Sequence, residues 1–394
     1  MKSILITGAS GFVGRHLVDA IRERHPEARL CLLDHPASGI CSSGRIMEPD
    51  GNDLRLAVDL ACGDDLPAAL EALTARVGPP DIVFHLAAQT EVGRSFQAPS
   101  ETYETNVVGT ARLLEAVTDV SLRTRVLIPG SAQIYQAPPP SSHSPGAAGA
   151  SAARADAHLL GENAPIRPSS HYGASKVAQE EVGRLFFESV GLPIYIARGF
   201  HHIGPGQQSG FVVPDLARQI VAAERGAIPA PARATTARHV ATSGTSPTAP
   251  QAATATAPTP SIPSTPVARP PAVIRVGNLD ARRDYLDVRD VTDAYLTIVE
   301  KGEPGLPYNV ASGRTWSTRE LLDELLAAAD VEMTVELDPK LLRPTDISTL
   351  AGDASRLRGL GWNPVHDLRH TLRETLDYWR RVMGSRVNRP PATH

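Results

Sequence analysis

Apolar residues in this chain fall into short unbroken runs that alternate with stretches of helical spacing. The first run is Ile4, Leu5 and Ile6, and a helical pattern at Leu17, Val18 and Ile21 follows it. The couple then repeats. Runs at 30–33, 56–60, 82–86, 126–128 and 193–198 read as strands, and 66–77, 107–117 and the stretch from His171 through Val190 read as helices. The strand runs do not alternate with polar residues, so both faces of each must be covered. Strands of that kind separated by helices predict a doubly wound α/β fold with a parallel sheet. Further along, 216–224 reads as a helix, 273–276 and 308–310 as strands, and 321–329 as an amphipathic helix. Ser317, Thr318 and Glu320 supply the cap of that helix, and a last helix runs from 368 to about 382.

Two segments break the pattern. Residues 137–160 are rich in Ala, Pro, Ser and Gly and read as a flexible loop. Residues 229–271 are nearly all Ala, Pro, Thr and Ser, without an acid or an aromatic. Such a stretch buries too little apolar surface to offset its ordering entropy and is expected to be a disordered insert. The organisation expected is a dinucleotide-binding Rossmann domain over 1–190, to which segments near 193–200 and 277–300 return. A smaller C-terminal α/β substrate domain follows over 201–385.

Composition changes this picture little. The chain has 394 residues, 42% of them hydrophobic, enough for two domains. A net charge of −4 gives no basic field for nucleic acid or an anionic membrane. Cys31, Cys41 and Cys62 follow no metal spacing, so reduced thiols and no metal site are expected. No apolar run approaches the roughly 20 residues of a membrane span. The first strand begins almost at once, so no signal peptide and a cytoplasmic location are expected.

The candidate chemistry begins at residues 7–14, TGASGFVG. Gly8 permits a tight turn at the strand end, Gly11 lets a pyrophosphate approach the backbone, and Gly14 lets the helix pack on the strand. Ser10, Phe12 and Val13 complete this cofactor-binding turn. Asp34 ends the second strand, placed to accept hydrogen bonds from the adenosine ribose and to repel a 2′-phosphate. It tilts the expected cofactor from NADP towards NAD, although His35 and Arg45 lie near. Asp59 and Leu60 end the third strand beside the adenine, and Leu86, Ala87 and Ala88 let the backbone after the fourth strand approach the cofactor.

Ser131 at a strand end, with Tyr172 and Lys176 four residues apart on one helix face, suggests a catalytic trio. A Lys ammonium and a nicotinamide charge near the phenol are expected to lower the Tyr172 pKa, so that it exchanges a proton with a carbonyl or hydroxyl. Ser131 would hold the same oxygen, Lys176 the nicotinamide ribose, and hydride would pass at nicotinamide C4.

On TGASGFVG, HLAAQ, Asn106, Ser131, YGASK and the LGW at 360–362, the chain resembles the extended short-chain dehydrogenase/reductases. The stretches 201–220, 276–291, 308–323 and 341–347 resemble the GDP-6-deoxy-4-keto-mannose reductases and their GDP-mannose 4,6-dehydratase relatives. The resemblance implies that the C-terminal part holds a GDP-linked or other nucleotide sugar. Gln89, Ser131, His201 and Arg218 would contact substrate, Arg283 and Arg343 its diphosphate or ribose, and Asp346 its nucleoside. A homodimer through helices around Ala111 and Ala178 is a family expectation. The dehydratases carry a Glu two residues after the hydroxyl residue. Here Gln133 stands there, and an amide cannot remove a proton, which argues for carbonyl reduction or 4-epimerisation. The family usually has Pro at 199, Asn at 201 and Gly at 136, where this chain has Gly199, His201 and Gln136. These departures bear on the substrate contact. The expected activity is NAD(P)H-dependent reduction of a GDP-4-keto-6-deoxyhexose to a GDP-6-deoxyhexose of the GDP-rhamnose type. A nucleotide-sugar 4-epimerase with bound NAD is the enzymatic alternative, and a non-catalytic dinucleotide sensor the alternative of another class.

Overall fold

The computed structural model describes residues 3–36, 53–62, 65–137, 159–226, 272–342 and 349–387, with the side chains of 385–387 excepted. Arg45, Cys41, Arg343, Asp346, the 229–271 insert and nearly all of the 137–160 loop lie outside these residues.

The repeated apolar runs form one sheet. Its strands are β1 (Ser3–Thr7), β2 (Arg29–Asp34), β3 (Leu54–Ala57), β4 (Ile82–His85), β5 (Arg125–Ser131), β6 (Ile194–Gly199) and β10 (Pro307–Val310). Their order is β10-β6-β5-β4-β1-β2-β3, and every neighbouring pair is parallel. On one face, α1 (Phe12–Arg24) and α8 (Val288–Lys301) pack through Leu17, Ile21, Val291 and Ile298. On the other, α2 (Leu66–Val77), α5 (Gly109–Val120) and α6 (His171–Val190) pack through Leu70, Leu113, Val117 and Val182. Unbroken apolar strands buried on both faces are the physical origin of this two-sided wrap. The chain leaves β1 in one direction towards β3 and resumes at β4 on β1's other side. The C-terminal ends of β1 and β4 therefore flank the topological switch point, where open α/β sheets bind ligands.

The rest of the C-terminal region builds a second layer. In a small sheet, β9 (Arg282–Asp287) pairs with β7 (His201–Ile203), β11 (Thr315–Ser317) and β13 (Thr349–Leu350). β8 (Ala272–Val276) pairs with β12 (Met333–Leu337). The helices α7 (Val212–Glu224), α9 (Thr318–Ala327) and α11 (Leu368–Val387) share a core of Leu216, Ile220, Leu321, Leu325, Leu372 and Leu376. Of the segment 277–300, only α8 packs on the large sheet, whereas β9 belongs to the small one.

Two boundaries differ from the sequence pattern. The third strand covers 54–57, so Asp59 and Leu60 lie past its end. The helix expected over 107–117 begins instead at Gly109. Asn106 lies inside a π-helical turn, Glu104–Val108, that continues α4 (Pro99–Tyr103) into α5. Local propensity does not signal such a turn, because it is stabilised by what Asn106 bonds across the fold. Among the described residues no helix is long and apolar enough to cross a membrane, and no cluster of His, Cys, Asp and Glu is placed to hold a metal.

Candidate active site

The glycine turn joins β1 to α1 at the switch point. Gly8 has φ +68°, and a Cβ there would stand 2.9 Å from the Ala87 nitrogen, so the segments after β1 and β4 touch backbone to backbone. A Cβ on Gly14 would press into the Gly8 and Ala9 carbonyl oxygens. The Ser10 N–H donates to Asp34 Oδ1 at 2.7 Å. Asp34 Oδ2 is buried and accepts no hydrogen bond, with Arg55 Nη1 3.7 Å away. A cradle without Cβ atoms, a helix N-terminus and a buried carboxylate oxygen open to donors fit a dinucleotide with its ribose on Asp34. Phe12 stacks on His202 at 6.0 Å, and Arg15 and His16 donate to the Gly206 and Pro205 carbonyls, so α1 also anchors the loop after β7. Asp59 Oδ1 accepts the Ala61 N–H, and Leu60 is buried against α5.

Ser131 ends β5. Its Oγ accepts the Gln133 N–H at 3.2 Å and starts a 3₁₀ turn over Ala132–Ile134. Ser170 caps α6 by accepting the Gly173 N–H at 3.0 Å. A Cβ on Gly173 would stand 2.6 Å from the Gln133 carbonyl oxygen, so only glycine lets α6 start against that turn. This close approach brings the Tyr172 side chain near enough to Ser131 for Ser131 to lower its pKa. Lys176 Nζ lies 5.9 Å from the Tyr172 ring centroid and is buried.

The electrostatics correct one expectation. Burial raises the Tyr172 pKa above its ordinary value, and neighbouring Ser131 pulls it only partly back. Burial outweighs the expected lowering by a neighbouring cation, and Lys176 is itself desolvated. Burial brings it down to about 8, against the opposing pull of Glu180. Its Nζ donates to the Pro129 carbonyl at 3.0 Å and to Gln179 Oε1 at 2.7 Å.

Asn106, in its π turn, joins two walls of the site. Its Oδ1 accepts the Gln89 N–H at 2.8 Å, and its Nδ2 donates to the Gln89 carbonyl and to Ser175 Oγ, each at 3.0 Å. Gln89 Nε2 donates to the Glu91 carbonyl, and Gln89 Oε1 is buried without a hydrogen-bond partner. Leu86, Ala87 and Ala88, partly buried, lead to it from β4. Gly173, Thr110, Gln179 and His85 are the site residues that sequence reasoning missed. Gln179 lies three residues after Lys176 and His85 opens HLAAQ, and these spacings were the available signals.

Three of the expected substrate contacts, His201, Arg218 and Arg283, lie on the second layer. His201, on β7, faces the Tyr285 ring at 5.5 Å. Arg283, on β9, donates to the Arg282 carbonyl at 2.9 Å. Arg218 sits on the exposed side of α7, 4.0 Å from Asp215. Arg343 and Asp346 belong to the residues outside the description.

The family model described as "NAD dependent epimerase/dehydratase family" matches residues 4–238, more than half of the chain. The chain belongs to that family. A second model, GDP-mannose 4,6 dehydratase, matches residues 246–375. The chain is 29% identical to a GDP-6-deoxy-D-mannose reductase of Pseudomonas aeruginosa, over 96% of this chain and 97% of that protein. It is 28% identical to a UDP-glucose 4-epimerase of Mycolicibacterium smegmatis, over 95% and 98%. Among solved structures, RMD from Pseudomonas aeruginosa complexed with NADPH superposes with a TM-score of 0.67 at 26% identity, covering 97% of this chain and all of that one. Within the family, this chain is an NAD(P)-dependent oxidoreductase of the extended short-chain dehydrogenase/reductase type that acts on nucleotide sugars.

Proposed function

We propose that this enzyme reduces the C4 keto group of a GDP-4-keto-6-deoxyhexose to a GDP-6-deoxyhexose, with Tyr172 as the proton donor. The setting of Tyr172 carries the reading, because a phenol held protonated by burial stands with Ser131, a second donor for the same oxygen, and buried Lys176 beside it. Reduced nicotinamide, when bound, supplies the hydride to the sugar C4. Tyr172 gives its proton to the carbonyl oxygen as the carbonyl π pair becomes the new O–H bond. Ser131 donates a hydrogen bond to that oxygen and fixes its position. Lys176, with two of its three N–H groups on Pro129 and Gln179, has a third for the nicotinamide ribose and for the phenolate left on Tyr172.

A 4-epimerase must first oxidise its substrate, which needs Tyr172 as a base. Burial keeps Tyr172 in its protonated form, the form in which the reductive step begins. Gln133, bonded through its N–H to Ser131, supplies no carboxylate for dehydration. The Pseudomonas aeruginosa reductase supports GDP as the nucleotide and NADP as an acceptable cofactor. Asp34 favours NAD. In this reading Gly8, Ser10, Gly11, Phe12, Val13, Gly14, Asp34, Asp59, Leu60, Leu86, Ala87 and Ala88 surround the dinucleotide. Gln89, His201, Arg218 and Arg283, with Arg343 and Asp346, serve the nucleotide sugar. The homodimer would form on α5 and α6 around Ala111 and Ala178, near the exposed Val108 and Leu185. The test is turnover of GDP-4-keto-6-deoxymannose with NADH or NADPH. The expected result is one dinucleotide oxidised per sugar reduced. Tightly bound NAD and sugar interconversion without net oxidation would make the protein an epimerase.

A further inference from the structure

We propose that Thr110 and Gln179 are positioning residues for Lys176, anchored by His85 in a buried hydrogen-bond chain that starts beside the glycine turn. Thr110 Oγ has one proton to donate and two lone pairs to accept with. Its O–H goes to the Asn106 carbonyl at 2.7 Å. Gln179 Nε2 and His85 Nε2 approach the same oxygen at 2.8 and 2.9 Å, so both must be donors. Gln179 therefore turns its NH₂ to Thr110 and its Oε1 to Lys176. His85 must carry its proton on Nε2, and its Nδ1 accepts the Thr7 O–H at 2.9 Å. Thr7 Oγ in turn accepts the Ala87 N–H at 3.1 Å, at the point where the glycine turn touches the segment after β4. Every polar atom of the chain is used in one direction.

The direction matters for the lysine. The flipped amide would present its NH₂ to the ammonium, donor against donor, and would lose the bond to Thr110 as well. Locked by Thr110, Gln179 is a permanent acceptor, and with the Pro129 carbonyl it fixes two of the three N–H vectors. The titratable groups that face Lys176 are His85 of β4, Tyr172, and Glu180 one turn along α6, with Arg198 of β6 paired behind Glu180 at 2.8 Å. His85 is pushed down to about 3 by burial and by the Lys176 charge, so it anchors the chain as a neutral group.

The inference rests on the assignment of Lys176 to the reduction, but its primary test does not use turnover. The chain has four lysines, Lys2, Lys176, Lys301 and Lys340, so NMR of lysine-labelled protein follows Lys176 individually. A hydrogen bond to the charged form favours that form. The Lys176 midpoint should therefore fall by roughly one pH unit in Thr110→Val and in Gln179→Leu, and Thr110→Ser should restore it. An unchanged midpoint in folded Thr110→Val and Gln179→Leu would overturn the proposal. If Thr110→Val does not fold, Gln179→Leu decides alone. The alkaline limb of the kcat profile should move with the NMR midpoint. If the midpoint moves but no keto sugar is reduced by the wild type, the relay stands and the functional reading falls.

Discussion

Two groups of buried polar side chains in this molecule differ in how completely they are bonded. The first lies along β9 and the start of α8. Asp284 accepts from the Ser312 N–H and O–H and from the Gly313 and Gly352 N–H groups. Asp287 accepts from the Arg289 backbone and guanidinium and from Thr371. Asp290 accepts from the Val365 and His366 N–H groups and from the His366 ring. Each ties a distant segment to β9 or α8. The second group surrounds the switch point. Asp34 Oδ2 and Gln89 Oε1 have no hydrogen-bond partner, and Lys176 has an N–H beyond the two its protein acceptors take. An unpaired buried polar group is costly, and at Asp34 and Gln89, beside the glycine turn, a ligand can complete the bonding; Thr74 Oγ1 and Trp379 Nε1 are also unpartnered but lie away from the site. Saturated carboxylates mark where the chain holds itself together.

The contrast breaks most sharply at Tyr172. Tyr172→Phe removes the proton donor and little volume, so kcat should fall roughly 10²–10⁴-fold while the thermal midpoint stays near wild type. Turnover within tenfold of wild type would remove the catalytic role from this group of residues. On the saturated side, Asp284→Ala leaves the Ser312, Gly313 and Gly352 donors without their acceptor. It should lower the unfolding free energy by about 3 kcal/mol in denaturant titration, with kcat of the folded enzyme within a few-fold of wild type. A smaller effect follows at Asp34, where replacement by Ala should raise the dinucleotide KM roughly tenfold, the loss of about one charged hydrogen bond, and leave kcat nearly unchanged. The smallest concerns pH. Burial lowers the Lys176 pKa from 10.5 to about 8, so its charge is present below that pH and lost above it. At saturating substrate the reduction rate should halve as pH rises through about 8. A rate still flat well above that value would separate catalysis from the Lys176 charge.

Much of the large sheet was legible in the chain, because apolar runs buried on both faces need no partner to announce themselves. Helices 66–77 and 171–190 stand where their spacing placed them, and Ser317 with Glu320 forms the capping box read from three residues of spacing. Ser131, Tyr172 and Lys176 were legible as residue types in register. Their electrostatics were not, since desolvation depends on neighbours far away in sequence. The π turn at Asn106 was invisible for the same reason, because its bonds go to Gln89 and Ser175. The role of Gly173 depends on the Gln133 carbonyl that stands against it, a contact that no local spacing announces. The chain through His85, Thr110 and Gln179 joins three elements, and no window of sequence contains it.

The most direct test of the account follows a label. Dinucleotide carrying deuterium at the transferable position of the reduced nicotinamide is mixed with GDP-4-keto-6-deoxymannose and the enzyme, and the product sugar is read by NMR. The account predicts deuterium at sugar C4, one label per dinucleotide oxidised, appearing roughly 10²–10⁴-fold more slowly when Tyr172→Phe replaces the wild type. Product without deuterium at C4, or equal labelling by Tyr172→Phe at the wild-type rate, would contradict it.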